Sequence, residues 1–367
     1  MKREYGTIIK IEPEDTVYRY EILWVVLDWA YLDNLLVLGV FFGFNTKEKE
    51  MVKGHKPRSG SMQFWPRKRA KSEVARIRSW AEVKDAKPCG FAGYKVGMVH
   101  VMVEDTRDNS MTKGKTISWP ATIVECPPLT VFSIKLYKNN NSYSQIFSDK
   151  LDKELQRSIN IPKNQKSIND LKEDEFDDLK LMVHTNPNKT TVGKKKPEIF
   201  EIALGGKKED KIAKVKEILG KEISINDVFT NGKVVDIHAI TKGKGFQGPV
   251  KRFGVALRNH RSEKTKRGPG SLGGWKGHAH FMYRVAHAGQ TGYHQRTEYN
   301  KQIIKIGTKD DKINPIAGFK HYGLIKNEYI LLKGSIAGPN KRLIRFNNAT
   351  RPSRRVKEIE FNIQIIH

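Results

Sequence analysis

"ISWPATIVECPPLTVFSIKLY", residues 117–137, is the stretch on which the fold class turns. It is crowded with β-branched and aromatic residues, which suit a pleated, half-buried surface. Similar runs recur: "AGYKVGMVHVMV" (92–103), "GKVVDIHAITKG" (232–243), "KQIIKIG" (301–307), "NEYILLKGSI" (327–336) and "KRLIRF" (341–346). Each is short and bounded by Gly, Pro or Asn, and together they are scattered over more than two hundred residues. That spacing predicts a mainly β protein with helical insertions, an α+β chain built on a small barrel whose loops have been enlarged. No fixed repeat period is visible.

The 367 residues carry 67 Lys+Arg against 40 Asp+Glu, a net charge of +27. A folded protein normally keeps such a self-repelling excess to meet a polyanion, and nucleic acid leads. An anionic membrane calls for a basic amphipathic helix, whereas the densest basic stretches here are rich in Gly and Pro. Cys89 and Cys126 are too few for a disulfide framework or a four-cysteine zinc site, so a reducing, cytosolic compartment is expected.

Residues 1–50 differ from the rest. They hold six basic and nine acidic residues, net −3, which leaves +30 for the remainder. Their apolar run "ILWVVLDWAYLDNLLVLGVFFGF" is long enough to span a bilayer, but Asp28 and Asp33 interrupt it. Each would cost about 2.5–3.5 kcal/mol near mid-membrane. The segment reads as an added or wrongly included leader, with the working protein beginning at Met51.

Next comes an extended basic arm, "KGHKPRSGSMQFWPRKRAK" (53–71), in which Lys53, His55, Lys56, Arg58, Arg67, Lys68 and Arg69 meet no acid and Pro57 and Pro66 forbid a continuous helix. Ser72 is placed to cap a short helix through "EVARIRSWAEV". Acidic "INDLKEDEFDDLK" and amphipathic "KEDKIAKVKEILG" predict helix between about 140 and 228, with Ile212, Val215, Ile218 and Leu219 on one face.

The second insertion, 241–300, has no apolar core of its own. It carries Lys242, Lys244, Lys251, Arg252, Arg258, His260, Arg261, Lys264, Lys266, Arg267, Lys276, Arg284 and Arg296 against only Glu263 and Glu298. Such a long basic loop needs an external anion to order it. If it runs out and back, each limb of about 11 residues reaches roughly 35 Å. Trp275, with glycines and basic residues for neighbours, is its natural far-end contact, and His278, His280, Gln290 and His294 add donors for phosphate or 2′-hydroxyl groups. The expected divisions are a leader (1–50), a basic arm and short helix (51–88), a first barrel part (89–139), a helical, partly acidic insertion (140–228), a barrel strand (229–240), a basic glycine-rich finger (241–300) and barrel completion with a tail (301–367).

Three sharper readings compete. "GKGFQG" (243–248) matches the dinucleotide fingerprint, which would make the chain an RNA- or nucleotide-acting enzyme. That fingerprint needs a helix opening at the glycines, and the residues after Pro249 allow two turns at most. His278, His280, His287 and His294 lack the spacing of a compact zinc motif. His260 or His287 with Glu263 or Glu298, and Ser262 or Ser271 as nucleophile, have no elbow motif to fix their geometry. No cofactor, metal or catalytic residue is expected.

Four blocks, "MVKGHKPRSGSMQFWPRKRA" (51–70), "HAITKGKGFQGPVKRFGV" (238–255), "GSLGGWKGHAHFMYRVAHAGQTGYHQRTEYNKQIIKIG" (270–307) and "YILLKGSIAGPNKRLIRF" (329–346), resemble, in order, the universal large-subunit ribosomal protein L-three family in its archaeal form. The resemblance runs essentially from Met51 to Arg351. It implies a translation-protein-type β-barrel on the outside of the large subunit, binding 23S-type ribosomal RNA near its 3′ end and aiding early assembly. It also implies neighbouring ribosomal proteins as partners, no membrane and no small-molecule substrate. The arm and a central finger would enter the RNA, with Trp275 at a tip approaching the peptidyl transferase centre and residues 288–297 on the returning limb. Peptide transfer itself would be the work of RNA. The limb before Trp275 is shorter than in eukaryotic relatives, with Pro269 and Gly270 near the tip.

Overall fold

The stretch 117–137 is two strands that part company. β2 (Thr116–Glu125) and β3 (Leu129–Lys138) belong to different sheets. Pro127 and Pro128 between them have no amide hydrogen to extend a ladder, so the chain leaves one sheet and enters the other there. The computed structural model describes residues 62–107, 110–162, 176–261, 264–270, 285–308, 311, 313–353, 358–359, 361 and 363–366. All lie within one unit, Ser59–His367.

The first sheet comprises β1 (Gly90–Glu104), β2, β8 (Val234–Ile240), β11 (Gln295–Gly307), β12 (Tyr329–Lys333), β13 (Leu343–Asn348) and β14 (Ile363–Ile366). Its antiparallel pairings close a circuit: β1 with β2, β2 with β12, β12 with β11, β11 with β8, β8 with β13, and β13 back to β1. The closing register sets Phe91 opposite Phe346 and Tyr94 opposite Leu343. β14 continues the other half of β1, Ile366 opposite His100. Closure removes the exposed edges that invite stray pairing.

β8 shows how a mixed sequence serves such a strand. In "VVDIHAI" Val235, Ile237 and Ala239 join the apolar core. The buried polar residues of the opposite face are paired by neighbours. Asp236 accepts from the Asn300 and Thr350 amides, both at 2.9 Å, and His238 bridges Asn347 Oδ1 (2.8 Å) and Thr297 Oγ1 (2.9 Å).

The second sheet runs β4 (Asn141–Phe147), β3, β5 (Asp178–His184), β6 (Ile199–Ala203), with β7 (Glu222–Ile223) beside β3. The insertion expected to be helical over 140–228 therefore also carries strands, β4, β5, β6 and β7, among the described residues. "DLKLMVH" alternates buried Leu179, Leu181 and Val183 with half-buried Asp178, Lys180 and Met182, a period of two that the acidic run before it masks in the sequence. The expected amphipathic helix does form as α1 (Lys208–Ile218), burying Ile212 and Val215. The two sheets share one continuous apolar core, which includes Phe91, Ile123 and Phe346 from the circuit and Leu129, Leu181 and Phe200 from the other sheet.

The short helix expected after Ser72 is absent. Ser72 Oγ does accept the Val74 amide (3.2 Å), but residues 72–88 form an irregular segment with Ala75 and Ile77 buried and Arg76 and Arg78 exposed. Tertiary contacts override the helical pattern here. Buried Arg345 donates to the Ala75 carbonyl at 2.7 Å and the Glu201 carbonyl at 2.5 Å, and its guanidinium lies 4.5 Å from the Phe200 ring centre. Burial pulls its pKa down to about 9.

Candidate nucleic-acid interface

The arm lies against the limb that returns from the 241–300 insertion, and aromatic rings and carbonyls hold it there. After a single turn, Met62–Phe64, the backbone is irregular, with neither helix nor strand. The Trp65 ring stacks on Phe253 at 5.8 Å, and the Arg67 guanidinium lies 4.4 Å from the same ring. Phe253 ends a five-residue helix, α2 (Pro249–Phe253), whose closure depends on Gly254 at φ 69°, a left-handed cap. Further along, Ala70 donates its amide to the Tyr293 carbonyl (2.9 Å), and Arg69 and Arg342 flank the Tyr293 ring at 4.9 and 5.1 Å. Arg296 sits 4.8 Å from the Phe64 ring. These cation–ring distances fall within the range where the attraction is appreciable.

Arg252 is the clip between arm and limb. Its Nη2 donates to the Arg67 carbonyl (3.0 Å), its Nη1 to His287 (2.9 Å) and its Nε to Gln290 (3.1 Å). A Cβ at residue 289 would stand 2.9 Å from this guanidinium, so Gly289 gives it room. His294, buried, sets Nδ1 2.9 Å from the Lys68 carbonyl.

Burial holds His294 below the ordinary imidazole value, as does the repulsion of Arg296, Arg252 and Arg67, against the opposing Lys68 hydrogen bond. Burial likewise lowers His238. Because the unfolded chain takes up protons near the ordinary value of 6.5 while the folded chain resists, stability falls as pH drops through that value. Urea midpoints should therefore be lower at pH 5 than at pH 7, and His294→Asn, which keeps a donor near Nδ1, should reduce that difference. An unchanged difference would refute the assignment to His294.

The remaining predicted cations point outward. Lys68, Arg69, Lys242, Lys244, Lys251, Arg258, His260, Arg261, Lys264, Lys266 and Arg267 are exposed. Among the described residues, none of them forms an ion pair with an acid. The Arg258 amide donates to the Lys266 carbonyl (3.1 Å), closing a loop that bears several of these charges. Arg296 donates to the Gln295 carbonyl (2.8 Å), and Gln290 turns its amide back to the Gly292 carbonyl (3.0 Å). Lys53, His55, Lys56, Arg58, Trp275, Lys276, His278, His280 and Arg284 lie outside the described residues.

A cleft lined by Lys242, Lys320, His321, Pro339, Asn340 and Lys341 adds three basic groups that the sequence reading passes over. Two turns build it: Asn340 donates to the Lys320 carbonyl (2.9 Å), and buried Lys95 donates to the Ile336 and Gly338 carbonyls at 2.5 and 3.0 Å. His321 and Lys341 occupy left-handed backbone, φ 63° and 67°. The sequence signal was weak, since "KHYG" and "GPNKR" are ordinary turn compositions.

"GKGFQG" does not form a phosphate-cradling turn. Residues Gly243–Gln247 are a strand, β9, paired with β10 (Gly289–Gly292) in a two-stranded ribbon. Glu298 accepts from the Ala337 amide (2.9 Å) and pairs with Lys301 (3.1 Å), so its carboxylate is held in the fold. Ser262, Glu263 and Ser271 lie outside the described residues, and among those described no group of three or more His, Cys, Asp or Glu is placed to hold a metal. No helix of the described residues is long and apolar enough to cross a membrane. Both cysteines are buried free thiols; burial raises Cys89 to about 11 and pushes Cys126 well up.

Fold and site together define a mainly β protein whose closed circuit of strands is joined by segments displaying exposed cations that meet no acid among the described residues. A family model described as Ribosomal protein L3 matches residues 51–365. The chain belongs to that ribosomal protein family. It is 46% identical over 310 residues to the large ribosomal subunit protein uL3 of Methanocaldococcus jannaschii, covering 81% of this chain and 92% of that one. The uL3 proteins of Archaeoglobus fulgidus (46%, covering 82% and 94%) and Methanobrevibacter smithii (43%, covering 84% and 96%) are similar in the same way.

Proposed function

We propose that the chain is a structural component of the large ribosomal subunit in the cytoplasm, bound to 23S-type ribosomal RNA near its 3′ end and to neighbouring ribosomal proteins, and that it aids early assembly. In this reading the circuit of strands is a translation-protein-type barrel on the subunit's outside. The arm and the 241–300 finger are extensions into RNA, the tip at Trp275 directed toward the peptidyl transferase centre. Its role is architectural, with RNA the catalyst.

One observation carries the reading: the described cations of the arm and finger are exposed yet meet no acid among the described residues. Opposing phosphates would neutralise them and release counterions. The archaeal relatives are named as large ribosomal subunit proteins, which supports the large-subunit part of the reading.

Cosedimentation of the natural protein with separated ribosomal subunits tests it. The chain should travel with large subunits and not with small ones. Binding to isolated large-subunit RNA should weaken by roughly 10³–10⁵ between about 50 and 200 mM salt if six to ten phosphates are contacted. Sedimentation apart from large subunits, or RNA binding indifferent to salt, would overturn the proposal.

A further inference from the structure

Phe246 is 76% exposed, more than Tyr143, Phe64 or Tyr299, and the contacts described above make no use of it. It sits in β9 opposite Gln290 of β10, and residues directly opposite share a face of the ribbon. Both neighbouring amides are engaged with main chain: Gln290 donates to the Gly292 carbonyl (3.0 Å) and Gln247 to the Lys244 carbonyl (2.8 Å). The ring is left uncovered on a ribbon held at one end by the Tyr293 amide donating to the Lys242 carbonyl (3.1 Å) and towards the other by Arg252. An apolar ring held rigidly in water gains nothing for the isolated protein.

Its surroundings say what would cover it. Lys244, two residues back on β9, is exposed at the irregular pairing where Gly243 and Gly245 face Gly292 and Thr291. Lys242 and Lys251 flank the ribbon in sequence, and none of the three has an acidic partner among the described residues. A Cβ at Gly245 or Gly248 would meet nothing in the protein within 4 Å. Gly248 has φ −69°, a value any residue adopts, so the protein itself gives no steric reason for glycine there. A close external neighbour does. An apolar protein partner would fit the ring but would leave the lysines unneutralised, whereas a nucleotide satisfies both.

We infer that Phe246 is a stacking platform for an unpaired RNA base, with Lys244 holding an adjoining phosphate. The inference rests on the ribosomal RNA reading and assigns it a residue outside the charged set.

The test compares the full chain with Phe246→Ala, Phe246→Tyr and Lys244→Ala on large-subunit RNA transcribed in vitro and on heparin, a polyanion without bases. Phe246→Ala should bind the RNA about tenfold or more weakly, since one stacked base supplies that much. Its salt dependence and its elution from heparin should not change, and Phe246→Tyr should bind like wild type. Lys244→Ala should instead lower the salt slope by about one phosphate contact. Because Phe246 is exposed, thermal melting of the alanine variant should match wild type. RNA binding by Phe246→Ala within twofold of wild type, or an equal loss on heparin, overturns the stacking role while leaving the ribosomal reading intact. Failure of the wild-type chain to bind the RNA overturns both.

Discussion

Replacing Arg252 by methionine should release the arm from the returning limb, at a cost of about 3 kcal/mol in local stability. The guanidinium donates to three main-chain carbonyls, those of Arg67, His287 and Gln290. A hydrogen bond from a charged donor contributes about 1.5–3 kcal/mol, and the three share one side chain, so their effects do not simply add. Methionine keeps apolar contact with Phe253, whose ring lies 5.0 Å from the guanidinium, and thereby isolates the polar loss. Hydrogen exchange should show the effect as lost protection at the Ala70 amide, which bonds to Tyr293, while the strands of the circuit keep theirs. Arg252→Lys should recover only part of it, because an ammonium cannot present a planar fork to three acceptors. Unchanged exchange at Ala70 would mean the arm is held by its other contacts and not by Arg252.

The second large effect is expected at the base of the ribbon. Gly292 has φ +72°, and a Cβ there would stand 2.0 Å from the Lys242 carbonyl oxygen. Alanine in left-handed backbone costs about 1–2 kcal/mol, and a clash with main chain cannot be relieved by a side-chain rotation. Gly292→Ala should therefore cost about 3 kcal/mol or more and separate β9 from β10. Gly245→Ala is the control, since φ is +71° but no atom lies within 4 Å of the added Cβ. It should cost only the backbone strain, about 1–2 kcal/mol. Equal losses in thermal melting and amide protection for the two variants would remove the clash from the explanation.

These two sites show what was hard to read. A count of charge puts Arg252 among the outward cations, yet its donors are all directed to protein carbonyls. Arg345, through its two terminal nitrogens, and Lys95 also donate to carbonyls elsewhere. Every residue carries a carbonyl, so no pattern of side chains announces a cation that will bind one. The second sheet was obscured for a related reason. The two-residue period of 178–184 is short and adjoins an acidic run, and local composition favoured helix until tertiary pairing with β3 and β6 decided otherwise. Phe246 stood inside a motif whose glycines drew attention away from it.

Composition and local pattern were enough to determine that this chain is mainly β and that its positive charge is gathered on segments lacking a core. Those properties depend on side-chain type and near-neighbour spacing. The parting of β2 from β3, the closure of β1 against β13 more than two hundred residues away, and the division of cations into inward clips and outward rows were decided only by tertiary structure. Each requires distant backbone groups to meet, and the hydrogen-bonding groups of the main chain are the same at nearly every position, so only the folded arrangement selects their partners.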